Sequence, residues 1–193
     1  MRISKLCLLA AALLLAALPA WGCSKGSAAA RDKVDEAVRS IEASRPLLED
    51  LLDLDGRFNE LGTRFSDVDD TIAEGKSLAE TAMLDVEELE RRYAAARDLL
   101  REAMAAEGAG KYGDYARFVL QAVEKELEAL AVNRDLLNAA WDMLDVLPRA
   151  ERQEQLSYYV EEIDRLTREV SSLMEEATEA AAAADAYRKG NGL

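Results

Sequence analysis

Reactive side chains are scarce in this chain, and the scarcity decides much of the chemistry open to it. The sequence has two cysteines and no histidine. Without histidine there is no Ser–His–Asp or Cys–His relay and no histidine-built zinc site. The carboxylate-plus-histidine metal centres that helical bundles often carry are excluded as well. Of the two thiols, Cys7 lies inside an apolar run and Cys23 stands just beyond it. Arg2 and Lys5 open the chain, and Leu6 to Leu18 is wholly apolar. A membrane-spanning helix needs about 20 such residues, so this run is too short to span. A positive start, a short apolar core and the small residues Ala20 and Gly22 read as a secretory signal peptide cut between Gly22 and Cys23. The mature chain would then keep Cys23 as its single thiol, which can form no internal disulfide.

The four residues Ala20, Trp21, Gly22 and Cys23 resemble the lipobox of bacterial lipoproteins. The resemblance covers only the first 23 residues. It implies cleavage before Cys23, a diacylglycerol on the Cys23 thiol and acylation of the freed amine. One acyl chain holds a membrane only marginally, whereas two or three anchor stably. Ser24 follows the cysteine, where an Asp would imply retention at an inner membrane. The resemblance therefore implies the periplasmic side of an outer membrane, or the outer face of the cell membrane where there is no second one.

Loss of residues 1–22 removes two basic residues and no acidic one. That leaves 22 basic against 38 acidic residues in 171, a net charge of −16. This length is that of one ordinary domain. The charge repels nucleic acid and anionic headgroups alike, so no nucleic-acid partner is expected. Carboxylates are plentiful, and "DLDG" (Asp53 to Gly56) and "SDVDD" (Ser66 to Asp70) are the densest spots. Neither fits the twelve-residue calcium loop: with Gly56 at its sharp turn, the first position is Leu51 and the last is Gly62. They read as solvated helix surface, and no metal site or cofactor is expected.

Three further features remain as weak candidates for contact with a partner or ligand. Arg134 interrupts an apolar seam between Leu130 and Leu137. Either it reaches out to pair with an acid of a facing helix, or it marks an anion site inside the bundle, with Trp141 nearby. Tyr112 and Tyr115 flank a glycine-rich loop. They are either packing at a helix start or an aromatic contact surface.

Everything after Ser27 reads as long helices. The spacing predicts helices over about 28–73, 76–107, 114–147 and 149–188, then a disordered tail over 189–193. Residues 23–27 form the lipid-anchor cysteine and a short linker. Pro46 should kink the first helix, with Ser44 as a new N-cap, and Gly75 should end it. The second helix carries Ala79, Ala82, Val86, Leu89, Tyr93, Ala96, Leu100 and Ala103 at three- and four-residue steps. Asp114 is the expected cap of the third, and Pro148 should stop it at Leu147. The fourth has the most regular heptad seam, Leu156 through Tyr187, broadened by Val160, Thr167, Met174 and Ala181. Short connections make neighbours antiparallel. The expected fold is all-α, an antiparallel up-down four-helix bundle.

No acid–base pair stands out from the background of Glu and Asp, so an enzyme is not expected. Two functions fit. One is a membrane-anchored extracytoplasmic lipoprotein serving as a helical protein-interaction or structural module of the bacterial cell envelope, with an unknown protein partner. The alternative is an extracytoplasmic small-molecule-binding or sensor bundle.

Overall fold

A computed structural model of the chain describes residues 25–63, 68–148 and 153–193. Among these the structure is all-α, with no strand. The helices are α1 (Lys25–Ala43), α2 (Arg45–Leu52), α3 (Leu54–Thr63), α4 (Val68–Ala105), α5 (Lys111–Val146) and α6 (Gln153–Asn191). The chain divides into two compact units. The first comprises residues 25–45, Arg91–Glu128 and Ser172–Leu193. The second comprises Pro46–Glu90 and Ala129–Ser171. The three long helices α4, α5 and α6 each supply a segment to both units.

The first unit packs four helical segments, from α1, α4, α5 and α6, and the second packs α2 and α3 with segments of α4, α5 and α6. In the first, Gly26 at the start of α1 abuts Glu107, just past the end of α4. Further along α1, the Ala43 carbonyl accepts from Arg92 Nη1 at 2.9 Å. The pairs Lys111–Asn191 and Lys125–Glu176 run α5 against α6 in the same opposed sense. In the second unit Lys76 pairs with Asp145 and Arg134 with Glu90, which makes α4 and α5 antiparallel there too. The expected antiparallel bundle of long helices is therefore present, with its first leg cut into α1, α2 and α3.

That cut falls where Pro46 demands it. Proline lacks an N–H and is tolerated only in a first helical turn, so α1 stops at Ala43 and α2 restarts at Arg45. Ser44 between them is fully buried. Its hydroxyl donates backward to the Ser40 carbonyl at 2.9 Å, which ties it to the last turn of α1. Helix α1 packs within the first unit, where Ala30, Val34, Ala37 and Val38 are core residues.

Other boundaries differ from the sequence expectation, each for a local reason. Gly75 lies inside α4, which begins at Val68. A Cβ there would come within 3.1 Å of Leu144 Cδ1, so this glycine permits close packing against α5 and ends nothing. Helix α5 begins at Lys111, three residues before Asp114. The Asp114 N–H already bonds the Gly110 carbonyl, while its carboxylate accepts from Arg117 and from Tyr187. The tight turn falls instead on Gly108 (φ +74°) and Gly110 (φ +54°), a left-handed conformation that favours glycine. Residues 189–193 are ordered. Helix α6 runs to Asn191, and Gly192 (φ +65°) closes it. The Leu193 N–H bonds the Arg188 carbonyl and the Gly192 N–H bonds Lys189, the paired bonds of a Schellman cap. At Pro148 the expected stop holds: α5 ends at Val146.

The seam predicted for the second helix is buried at every position from Ala79 to Ala103. The more regular seam of α6 is covered less well. Leu166, Ala177 and Ala184 are buried, while Leu156, Tyr159, Ile163, Val170, Leu173, Ala180 and Tyr187 are half-buried.

Candidate functional site

Gly22 and Cys23, the cleavage and lipidation residues expected from sequence, lie outside the described residues, as do Ser66 and Asp67 of the acidic "SDVDD" stretch. The remaining candidates are all placed, and they do not form one constellation. Arg134 and Trp141 belong to the second unit, Tyr112 and Tyr115 to the first.

Arg134 stands on the outer side of α5, its side chain 47 % exposed, and its Nη1 meets Glu90 Oε2 of α4 at 3.0 Å. The guanidinium thus satisfies itself on a facing helix at the surface. It does not look into the bundle, and no interior anion site is built around it. Trp141, one heptad further on, is half-buried. Lys76 of α4 lies 5.3 Å from its ring centroid and also pairs with Asp145. The ring face is therefore already occupied by a cation. Tyr115 is 5 % exposed. Burial is the main cause that raises its hydroxyl pKa, Arg188 lowers it, and Asp185, Asp35 and Glu42 raise it further. A side chain so enclosed packs the first unit and offers no contact surface. Tyr112 is half-buried at the start of α5 and is the one of the pair that reaches solvent.

The most perturbed carboxyl is one that the sequence reading passed over. Glu126 of α5 shares a hydrogen bond with Tyr93 of α4, inside the first unit. It is half-buried by surface area, yet its carboxyl is closely surrounded by packed atoms. Burial pushes that carboxyl up to about 7, with the Tyr93 bond acting in the opposite direction. Burial likewise raises the Tyr93 hydroxyl, and the charge and hydrogen bond of Glu126 add to the effect. A signal for Glu126 existed. Val119, Ala122 and Ala129 are buried at three- and four-residue steps, and Glu126 occupies the missing position of that stripe. The main seam of α5 drew attention away from it.

The second unit holds an open cleft of about 330 Å³ between α3 and α4, lined by Arg57, Glu60, Leu61, Glu74, Ser77, Leu78 and Thr81. Thr81 spends its hydroxyl on the Ser77 carbonyl. At the next turn of α4, Asp85 has its carboxyl pKa raised by burial and by Asp50, and lowered by Arg57. Ligand pockets are usually enclosed and mostly apolar, with a few converging polar groups. This cleft is open and lined by side chains of both charges, so it suits water and counterions better than an apolar ligand. Among the described residues no group of three acidic or thiol side chains is placed to hold a metal ion. No helix there is long and apolar enough to cross a membrane. No protein-family model, curated protein or solved structure matches the chain.

Proposed function

We propose that this protein is a lipoprotein of the bacterial cell envelope, exported and anchored through lipid on Cys23. Its helical body acts there as a non-catalytic protein-interaction or structural module. The observation that carries the reading is the coincidence of three features at one boundary. A short apolar run ends at Leu18, just before Ala20–Cys23, Cys23 is the single thiol beyond it, and α1 starts at Lys25. A lone thiol in an exported chain has no internal partner, and lipid attachment accounts for it.

The interaction role draws support from the surface of the second unit. Leu84, Tyr158 and Val160 are 62 %, 63 % and 51 % exposed, large apolar side chains that a bound partner would cover. The rival small-molecule reading has less to rest on, because Arg134 is paired at the surface and Trp141 is covered by Lys76.

Cys23→Ser is the direct test. Wild type should partition with membranes and incorporate a labelled fatty acid, and the variant should do neither. A processed Cys23→Ser protein that stays membrane-bound would defeat the anchor reading. Crosslinking in intact cells tests the second half of the proposal. A specific adduct weakened by Tyr158→Ser with Val160→Ser is expected, and an unchanged adduct pattern would remove these residues from the interface.

A further inference from the structure

We infer that the end of the first unit formed by the start of α1, the α4–α5 loop and the C-terminal turn of α6 is the face that rests on the lipid headgroups. The inference rests on the lipid-anchor reading and adds an orientation to it.

Three pieces of chain meet at this end. The first turn of α1 presses on the loop: a Cβ at Gly26 would collide with the Glu107 carbonyl oxygen and lie 3.4 Å from Gly108 Cα. Across the same end, Lys111 Nζ donates to the Asn191 carbonyl at 3.1 Å, which ties the start of α5 to the end of α6. Cys23 precedes Gly26 by three residues. An extended chain covers at most about 3.6 Å per residue, so the anchor Cα lies no more than roughly 11 Å from that of Gly26. Headgroups occupy on the order of 5–8 Å of each leaflet. With acyl chains in the hydrocarbon core and so short a tether, this end of the bundle is held within a few ångströms of the headgroup layer.

Its chemistry agrees. Lys111, Arg188 and Lys189 lie here with Glu107 and Asp185, and Asp185 pairs with both Arg188 and Lys189, so three cations against two acids leave one net positive charge on a chain whose formal net charge is −14. Lys111 and Lys189 are exposed. Headgroup phosphates attract such lysines, while the acidic remainder of the protein is repelled by the same surface. Met104 is 38 % exposed beside the loop and Tyr112 is half-buried at the start of α5. An apolar side chain and an aromatic one suit the boundary between water and acyl chains. Gly108 and Gly110 are exposed and carry no side chain that would hold the backbone off the surface.

The test uses the full lipidated chain in vesicles of mixed zwitterionic and anionic phospholipid. A fluorophore is placed on Ala105→Cys or, in a separate protein, on Ala95→Cys. Both alanines are exposed and on α4, about 15 Å apart along the helix. A quencher carried on the lipid headgroups should dim the Ala105→Cys label at least about threefold more than the Ala95→Cys label, given that spacing and the thickness of the headgroup layer. Charge reversal at Lys111→Glu with Lys189→Glu should shrink that difference on anionic vesicles and leave flotation unchanged. Equal quenching at both positions in protein that floats with the vesicles overturns the orientation and leaves the anchor standing. Protein that carries no lipid and does not float overturns the anchor reading itself.

Discussion

The two units solve the same packing problem with opposite side chains. In the first, the buried hydrophobic residues include nine alanines and two leucines. In the second they include four alanines and nine leucines. Alanine at a helix contact lets backbones approach closely, and no side-chain volume is left over to reach solvent. Leucine fills a wider gap, and its neighbours at the rim of the contact are easily left uncovered. The exposed large apolar residues follow that division. Leu52, Val68, Leu84, Leu147, Tyr158 and Val160 belong to the second unit, and Met104 to the first. The first unit therefore reads as the rigid part of the molecule and the second as the part with surface left over for a partner.

Truncating one leucine in each unit breaks or sharpens this contrast most strongly. Leu100 is fully buried in the unit whose core is rich in alanine, a side chain too short to close a gap left beside it. Leu100→Ala should cost about 3–5 kcal/mol, towards the upper part of the range for leucine truncation. Leu61, 7 % exposed at the edge of the second unit, should cost about 2–3 kcal/mol, because its surroundings are already open to water. Urea unfolding of both variants checks the order. A larger loss for Leu61→Ala would reverse the assignment of rigidity.

Second in size is a pH effect that belongs to the first unit. The folded carboxyl of Glu126 is raised to about 7 from an ordinary value of 4.5. Between those values the folded state holds a proton that the unfolded state has lost, so stability falls as pH rises through this window and levels off above it. A shift of that size, discounted for the partial exposure of the residue, corresponds to about 2 kcal/mol. Glu126→Gln should flatten this part of the stability profile between pH 5 and 8 and raise Tm at pH 8 relative to wild type. Parallel profiles for the two proteins would mean that Glu126 is solvated, and the first unit less tightly sealed than described.

The smallest effect expected is at Arg134, in the second unit. Its pair with Glu90 is exposed, and such surface pairs contribute about 0–1 kcal/mol. Arg134→Ala should move Tm by no more than about 4 °C for a protein of this size. A large loss would place the guanidinium in a network that its 47 % exposure does not indicate.

Periodicity carried the fold a long way. The α4 seam from Ala79 to Ala103 could be named residue by residue from three- and four-residue steps, because a helix buries one face and few other arrangements hide eight such side chains. Proline was equally legible, since its missing N–H makes Pro46 and Pro148 boundaries in any context. Glycine was not. Gly75 has the same local sequence signature whether it ends a helix or admits Leu144, and only the opposing helix distinguishes the two. The candidate site divides the same way. Arg134 was visible as a break in a seam, but the alternatives of a surface pair and an interior anion site could not be separated without knowing that Glu90 faces it. Glu126 went unnoticed because one glutamate among so many looks like solvated charge until its neighbours are known.

What the sequence determined by itself was set by covalent chemistry and local periodicity. These are the single thiol at Cys23 beyond the apolar run, the absence of histidine, the all-helical character, and the face that each helix must bury. The tertiary structure decided how completely each face is buried. The seam of α6 is the most regular in the chain, yet most of it is only half-covered, while that of α4 is sealed. The physical reason is that a repeat fixes the direction in which side chains point along one helix. Burial depends on which other helices arrive at that face, and on whether they bring alanine or leucine.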